Sequence, residues 1–139
     1  MTLIEINNIP APPEYKRPSA QFYDYLLDAR DTADLWSTRA TYTMTQGAFQ
    51  VFRRRLSTEE AVAFANVLPI FLRALFVTDW DTNVEKKSFE DRESMTREVR
   101  MLRINHNFST DTAIRDVAQA LRRHVDEARL DNGASLPTV

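Results

Sequence analysis

Residues 57–76, STEEAVAFANVLPIFLRALF, decide the fold class because one short stretch contains a helix start, a proline and a second helix start. Ser57 and Glu60 form a capping box, in which each side chain satisfies a backbone N–H at the start of a helix. Pro69 fits the first turn of the next helix, where its missing N–H costs nothing. The expected inward residues are Ala61, Phe64, Ala65 and Leu68, then Phe71, Leu72, Leu75 and Phe76. The stretch predicts two short helices, and we expect the second to supply the most buried group of side chains.

The chain before this stretch predicts an arm and two helices. Residues 1–17 contain several prolines, which favour an extended path, so we assign these residues to an N-terminal arm. Ser19 is placed to cap a helix that runs to about Asp31. The apolar face of that helix is expected to carry Phe22, Tyr23, Leu26 and Leu27, and a longer helix follows with Leu35, Tyr42, Phe49, Phe52 and Leu56 on its apolar stripe.

The chain after this stretch predicts a linker and two further helices. Trp80 ends the first half, and residues 82–87 form a polar linker. Ser88 is placed to cap a helix through about Ile104, and Ser109 or Thr110 to cap the last long helix. The expected inward residues are Met95, Val99 and Leu102, then Ile114, Val117, Leu121 and Val125. No segment alternates clearly enough to predict a strand.

Two segments of the chain resemble each other at a constant offset, which indicates an internal repeat. Residues 50–56, QVFRRRL, match residues 119–125, QALRRHV, and Leu68-Pro69 recurs as Leu136-Pro137. We therefore predict an all-α bundle of six to seven helices built from two similar halves. The halves are residues 18–81 and 88–139, and the second is expected to be truncated because the chain stops where its next helix should begin.

Residues 54–76, RRLSTEEAVAFANVLPIFLRALF, followed by Trp80, resemble the bacterial domain-of-unknown-function family 2267. The pattern of that family is an Arg-Leu-Ser start, a Glu-Glu-Ala helix, then Leu-Pro, a Leu-Arg helix and a tryptophan. The resemblance covers the first half well and the second half weakly. It implies an all-helical fold of two similar halves, and no known catalytic residue, cofactor or substrate.

The composition excludes several classes of protein. With no cysteine among the 139 residues, the chain has neither a disulfide framework nor a thiolate site, in agreement with a reducing compartment. Only two glycines are present, whereas phosphate-binding loops and nucleophile elbows need several at short spacing. A net charge of −2 creates no general attraction to nucleic acid or anionic lipid. With no signal peptide or membrane-spanning run, we expect a cytoplasmic protein.

The segment DWDTNVEKKSFE, residues 79–90, has part of the pattern of a calcium loop. Four residues fall on ligand positions one, three, five and twelve of such a loop: Asp79, Asp81, Asn83 and Glu90. Position six, which needs glycine for a sharp turn, is Val84, and position nine is Lys87, whose charge repels the ion. We therefore expect a connector between the two halves and no calcium site.

Five arginines form the candidate interaction patch: Arg53, Arg54, Arg55, Arg122 and Arg123. If they meet in space they favour nucleic-acid binding. The structural interpretation, which we prefer, is that both clusters end helices, where positive charge is stabilised by about 0.3–1 kcal/mol. No aromatic residues alternate with these arginines, as a stacking surface for bases would require.

Other polar residues do not form a recognisable catalytic or metal site. Asp24, Asp28 and Asp31 share one helix face, but the Glu-x-x-His motif of bundle metal sites is absent, so a solvated face is expected. His106 and His124 have no serine or carboxylate at a triad-like spacing. We therefore expect no catalytic residue, no cofactor and no metal.

Three functions stay open at this point. The preferred one is a non-catalytic protein-interaction or assembly module in the bacterial cytoplasm, with a second copy of the chain or another protein as partner. The second is a binder of a small apolar ligand between helices, suggested by Phe49, Phe52, Phe64, Phe71, Phe76 and Trp80. The third is a nucleic-acid-associated protein. For the homodimer, the expected interface includes Leu3, Ile4, Ile6 and Ile9 in the arm.

Overall fold

A computed structural model of the protein describes residues 12–102 and 109–125. These residues form six α-helices and no strand: α1 (Pro13–Ala33), α2 (Thr38–Arg53), α3 (Thr58–Val67), α4 (Ile70–Val77), α5 (Arg92–Met101) and α6 (Ala113–His124). The prediction of an all-α bundle is confirmed. The internal duplication stays a prediction, and Leu136-Pro137, which it invoked, lies outside the described residues.

The helices pack around α2, which contacts α1, α4, α5 and α6. Helix α1 also packs against α4 and α6, α3 packs against α4, and α5 packs against α6. The largest fully buried side chains are Tyr25, Phe49, Phe64, Phe76, Met44, Leu68, Leu72, Met95 and Leu121. In residues 12–102 and 109–125 no helix combines the length and the apolar character that crossing a membrane requires.

Helix α1 begins at Pro13 and not at the predicted cap Ser19, so the last part of the predicted arm, residues 13–17, is helical. Pro13 occupies the first helical position, where the N–H that proline lacks has no partner within the helix. Pro18 also lies inside the helix. The prediction was wrong here because it treated every proline of this segment as a helix breaker.

The buried face of α1 is rotated about the helix axis relative to the predicted apolar face. Tyr25, Leu26, Ala29 and Ala33 are buried, whereas Tyr23 is exposed. Two small alanines continue the helical spacing of Tyr25 and Leu26, and they allow α1 to approach its neighbours closely. The predicted face was therefore wrong at Tyr23.

The turn between α1 and α2 explains why Leu35 is not helical as predicted. Asp34 ends α1 in the left-handed conformation with φ 54°, and the Leu35 N–H donates to the Arg30 carbonyl at 2.9 Å. This is the bond of a Schellman motif. Ser37 then caps α2 by accepting from the Ala40 N–H at 3.1 Å, so α2 starts after Leu35.

Helix α2 packs closely against α5 at Gly47. A Cβ on Gly47 would lie 3.1 Å from Cγ1 of Val99 in α5. Glycine at this position therefore lets α5 pack directly against the middle of α2. Tyr42, which we expected on the apolar stripe, is exposed.

The predicted capping box at the start of α3 is present. The Ser57 side chain accepts from the Glu60 N–H at 3.1 Å, and the Glu60 carboxylate accepts from the Ser57 N–H at 2.9 Å. Helix α4 begins at Ile70, directly after Pro69. Leu72, Leu75 and Phe76 are buried as predicted, but Phe71 is 40% exposed because it lies at the edge of the inner face. The α4 residues are no more buried than the best-buried side chains of α2 and α3. The prediction that α4 supplies the most buried group of side chains was therefore wrong.

Helices α5 and α6 start later than predicted. Asp91, not Ser88, caps α5 by accepting from the Ser94 N–H at 2.7 Å. Thr112, not Ser109 or Thr110, precedes α6. The buried carboxylate of Asp116 accepts from the Thr110 hydroxyl at 2.7 Å and the Thr112 hydroxyl at 2.8 Å, which fixes the loop against the first turn.

Candidate functional site

Arg53 joins the end of α2 to the end of α4. Its Nη1 donates to the carbonyls of Phe76 and Thr78 at 2.7 and 3.2 Å. These carbonyls lie at the end of α4, where the last carbonyls of a helix have no N–H partner within the helix. The Trp80 ring lies 5.4 Å from the guanidinium carbon, within the range of a cation–π contact.

Arg54 and Arg55 hold the connector between α4 and α5. Nε of Arg54 donates to the Glu85 carbonyl at 3.1 Å, and the Lys87 N–H donates to the Arg54 carbonyl at 3.2 Å. Nη2 of Arg55 lies 3.0 Å from Glu90 and 2.6 Å from Glu98. The Arg55 side chain is fully buried, with its Nη1 donating to the Val51 carbonyl.

Arg123 makes a separate network between α6 and α1. Its Nε and Nη2 donate to the two Asp28 oxygens at 2.8 and 2.9 Å, and Nη2 also donates to the Thr32 hydroxyl. Nε2 of His124 lies 2.8 Å from the same carboxylate. The hydrogen bond from Arg123 is the largest influence on the pKa of Asp28 and lowers it below its ordinary value, against the effect of burial.

The contacts of the two arginine clusters favour the structural interpretation. Arg53, Arg54 and Arg55 bind α4, the connector and α5, whereas Arg123 binds α1. Arg122 is partly exposed on the same helix. The use of these five arginines as an interaction patch stays a prediction.

We expect Asp28→Asn to destabilise the protein at neutral pH and to have less effect in acid. The folded pKa of Asp28 lies below its unfolded value of about 3.9. The ion pair therefore stabilises the fold above that pH, and this stabilisation is lost as the pH falls through the folded pKa. Urea unfolding of both proteins from neutral pH to about pH 2 measures this, because the loss begins only below the unfolded pKa. A difference that stays constant over the range would show that the carboxylate charge is not what stabilises the contact. Asp24→Asn, on the same helix, is the matched control.

Residues 79–90 form the connector between α4 and α5, as predicted for this segment. Oδ1 of Asp81 accepts from the Asn83 N–H at 2.9 Å, and Glu90 pairs with Arg55. Two of the three carboxylates that a calcium loop would use are therefore engaged with protein groups. In the part of the chain that the structure describes, no three His, Cys, Asp or Glu side chains are placed to share a metal ion.

A cleft of about 310 Å³ lies beside Trp80, between α2, the connector and α5. Its charged lining comprises Arg53, Arg54, Lys86, Asp79, Asp81 and Glu98. Lys86 Nζ lies 5.9 Å from the Trp80 ring. Asp79 turns the chain into the cleft with φ 55°, a left-handed conformation that aspartate adopts more readily than most residues. The cleft therefore combines both signs of charge with an aromatic ring.

The outer face of α4 is the second candidate site. Ile70, Ala74 and Val77 lie on its solvent side, and Phe71 lies at the edge. We call these four residues the α4 surface. Ile70 is 53% and Val77 42% exposed. Beside them the Phe22 ring contacts Phe71 and Tyr42 edge-on, with centroid distances of 5.8 and 6.1 Å, so the apolar area extends to α1 and α2.

The aromatic set proposed for an apolar ligand is mostly packed core. Phe64 contacts Phe49, Phe52 and Phe76 edge-on, with centroid distances of 5.0–6.3 Å. The apolar space that Phe49, Phe52 and Phe64 line has a volume of about 20 Å³, far below the ~300 Å³ of a typical ligand pocket. This interior does not support a ligand site between the helices.

The sequence analysis named Asp28 and Arg123 but assigned Asp28 to a solvated face and missed the contact between the two residues. Asp28 and Arg123 are far apart in sequence, so spacing carries no signal for their contact. Ile70 and Val77 did carry a signal, because they make α4 apolar on its outer side as well. Leu3, Ile4, Ile6, Ile9 and His106 lie outside the described residues.

The comparisons with known proteins identify a family and no activity. The family described as "Uncharacterized conserved protein (DUF2267)" matches residues 22–137, which include all of α2–α6 and most of α1. No curated protein matches the chain. The match agrees with the resemblance seen around Trp80.

Proposed function

Since this chain belongs to the DUF2267 family of uncharacterized conserved proteins, we propose its function from geometry: a non-catalytic interaction module that associates with a second copy of itself through the α4 surface. We place it in the bacterial cytoplasm; the absence of cysteine agrees with such a reducing compartment. The single observation that carries the proposal is the apolar outer face of α4.

An apolar outer face is unusual for a helix at the surface of a bundle. A surface helix normally pairs one apolar stripe with a polar opposite side, and a helix that is apolar all round is normally buried. Helix α4 buries Leu72, Leu75 and Phe76 and still presents Ile70 and Val77 outward. Isoleucine and valine are poorer helix formers than lysine or glutamate, so helix propensity does not explain them.

A second copy is the partner that these observations favour. A two-fold contact uses the same patch on both chains, so the patch must not repel itself. Ile70, Phe71, Ala74 and Val77 are uncharged. Arg73 of the same helix is also exposed, but its guanidinium donates to the carbonyls of Ala65 and Leu68 and is thereby held toward α3. The net charge of −2 also adds little repulsion between two copies.

We expect Val77→Lys to convert a dimer into a monomer without unfolding the chain. Val77 is the last residue of α4, where a positive charge interacts favourably with the helix dipole, so the helix tolerates the change. Across the two-fold, the added charges lose water and repel each other. Light scattering at tens of micromolar should give twice the chain mass for the wild type and one chain mass for the variant.

Met101→Lys is the matched control. Met101 is the last residue of α5 and is 66% exposed, so it receives the same charge at an equivalent helix position away from α4. This variant should remain dimeric. A monomeric wild type, or equal loss of association in both variants, would overturn the proposal.

A further inference from the structure

Arg53 is a buried cation that makes no direct ion pair with a described carboxylate; burial lowers the pKa of its guanidinium, and the nearby charge of Asp79 opposes this. Its residue is 8% exposed, and its hydrogen bonds go from Nη1 to two carbonyl groups. Within the described residues, the one fully buried side-chain nitrogen without a hydrogen bond belongs to Arg55. Nε and Nη2 of Arg53 therefore retain contact with solvent, and the space that Arg53 lines is the cleft beside Trp80.

The other charges of the cleft divide into paired and unpaired groups. Glu98 lies 2.6 Å from Arg55, 3.7 Å from Arg54 and 3.6 Å from Lys87, so its charge is compensated. Arg53 and Lys86 remain as cations, and Asp79 and Asp81 remain as anions. None of these four is in a direct ion pair with another described residue, although the charge of Asp79 acts on Arg53 and Oδ1 of Asp81 accepts from the Asn83 N–H. The cleft therefore presents two positive and two negative groups. A ligand with only a negative charge would be repelled by the two carboxylates, and a ligand with only a positive charge by the two cations.

We propose that this cleft binds a small zwitterion of the amino-acid class. Its carboxylate binds the free donors of Arg53 and the Lys86 ammonium, and its ammonium binds Asp79 and Asp81. The apolar part of the ligand lies against Trp80. A volume of about 310 Å³ is at the lower limit of small-molecule sites, which matches a compact ligand. This inference is independent of association through α4.

Trp80 fluorescence provides the test, because the chain has only two tryptophans. In a Trp36→Phe background, Trp80 reports alone. The probes are the free L-amino acids, followed for each binder by its N-acetyl form, which is an anion, and its methyl ester, which is a cation. We expect saturable binding of at least one free amino acid and much weaker binding of both derivatives.

Two substitutions connect binding to the cleft. Lys86→Gln removes one cation, and Asp79→Asn removes one anion while retaining a residue that tolerates the left-handed backbone. Each should weaken binding about tenfold, the effect of losing roughly one charged hydrogen bond. Lys87→Gln, the neighbouring lysine that pairs with Glu98, should leave binding unchanged.

Three results would overturn the inference. The first is the absence of any fluorescence or melting-temperature change at millimolar concentrations of every amino acid. The second is equal binding of a free amino acid and one of its single-charge derivatives, which shows that only one charge is recognised. The third is equal weakening by Lys86→Gln and Lys87→Gln, which removes the cleft as the site.

Discussion

Phe64→Ala is expected to lower the free energy of unfolding by about 3–5 kcal/mol, the range for truncating a fully buried phenylalanine. Phe64 is 0% exposed and contacts three other rings, at 5.0 Å from Phe52, 5.0 Å from Phe76 and 6.3 Å from Phe49. These rings come from α2 and α4, so a cavity at Phe64 weakens the packing of three helices. Urea unfolding followed by circular dichroism measures the loss.

Phe89→Ala is the control for this prediction. Phe89 contacts Phe52 at a centroid distance of 5.9 Å but is 53% exposed, so its truncation leaves no cavity. We expect a cost of about 1 kcal/mol or less, in the range of partly exposed substitutions. If Phe64→Ala costs no more than Phe89→Ala, the aromatic cluster is not the centre of the core.

Arg55→Met is expected to cost about 3 kcal/mol, the low end of the range for breaking a buried ion pair. Methionine keeps the apolar stem but removes the donors to Glu98, Glu90 and the Val51 carbonyl. The low end applies because Glu98 is partly exposed and keeps Arg54 and Lys87 nearby. Chemical denaturation at neutral pH measures the effect.

The pH dependence of the stability cost of Arg55→Met shows whether the cost comes from the ion pair with Glu98. Burial raises the pKa of Glu98, but the hydrogen bond from Arg55 and the nearby charges of Lys87 and Arg54 together lower it below its ordinary value. The ion pair therefore stabilises the fold above the unfolded pKa of about 4.3, and this is lost as pH falls through the folded pKa. The cost of Arg55→Met should shrink over that window.

Arg54→Met is the control for Arg55. The Arg54 side chain is partly exposed, and its nitrogen lies 3.7 Å from Glu98, so we expect a cost of about 1 kcal/mol or less. Equal costs for the two arginines would contradict the assignment of the buried ion pair to Arg55.

The all-helical fold class and the inner faces of most helices could be predicted from the sequence, because buried apolar residues recur at the spacing of the α-helix. Met95, Val99, Ile114, Val117 and Leu121 are all buried as predicted. The capping box at Ser57 was also predicted, because two residues at fixed spacing define it. Helix starts were predicted less well where several capping residues compete, as at Ser88 and Asp91.

The candidate sites were harder to predict because they depend on contacts between distant segments. Arg53, Arg54 and Arg55 are adjacent in sequence, yet they bind α4, the connector and α5 separately. Only the packed fold shows that Arg53 faces the cleft while Arg55 is enclosed. The apolar outer face of α4 was visible in the sequence but not separable from its inner face before the packing was known.

Cross-linking at Ala74 tests the central claim, association through α4, most directly. The chain contains no cysteine, so Ala74→Cys places a single thiol at the middle of the α4 surface. A disulfide forms only where two Cα atoms approach within about 7 Å, a condition that a two-fold axis near Ala74 meets. Mild oxidation should give a cross-linked dimer for Ala74→Cys and a monomer for Ala20→Cys, on exposed α1 surface. Cross-linking at Ala20 with none at Ala74 would contradict the account.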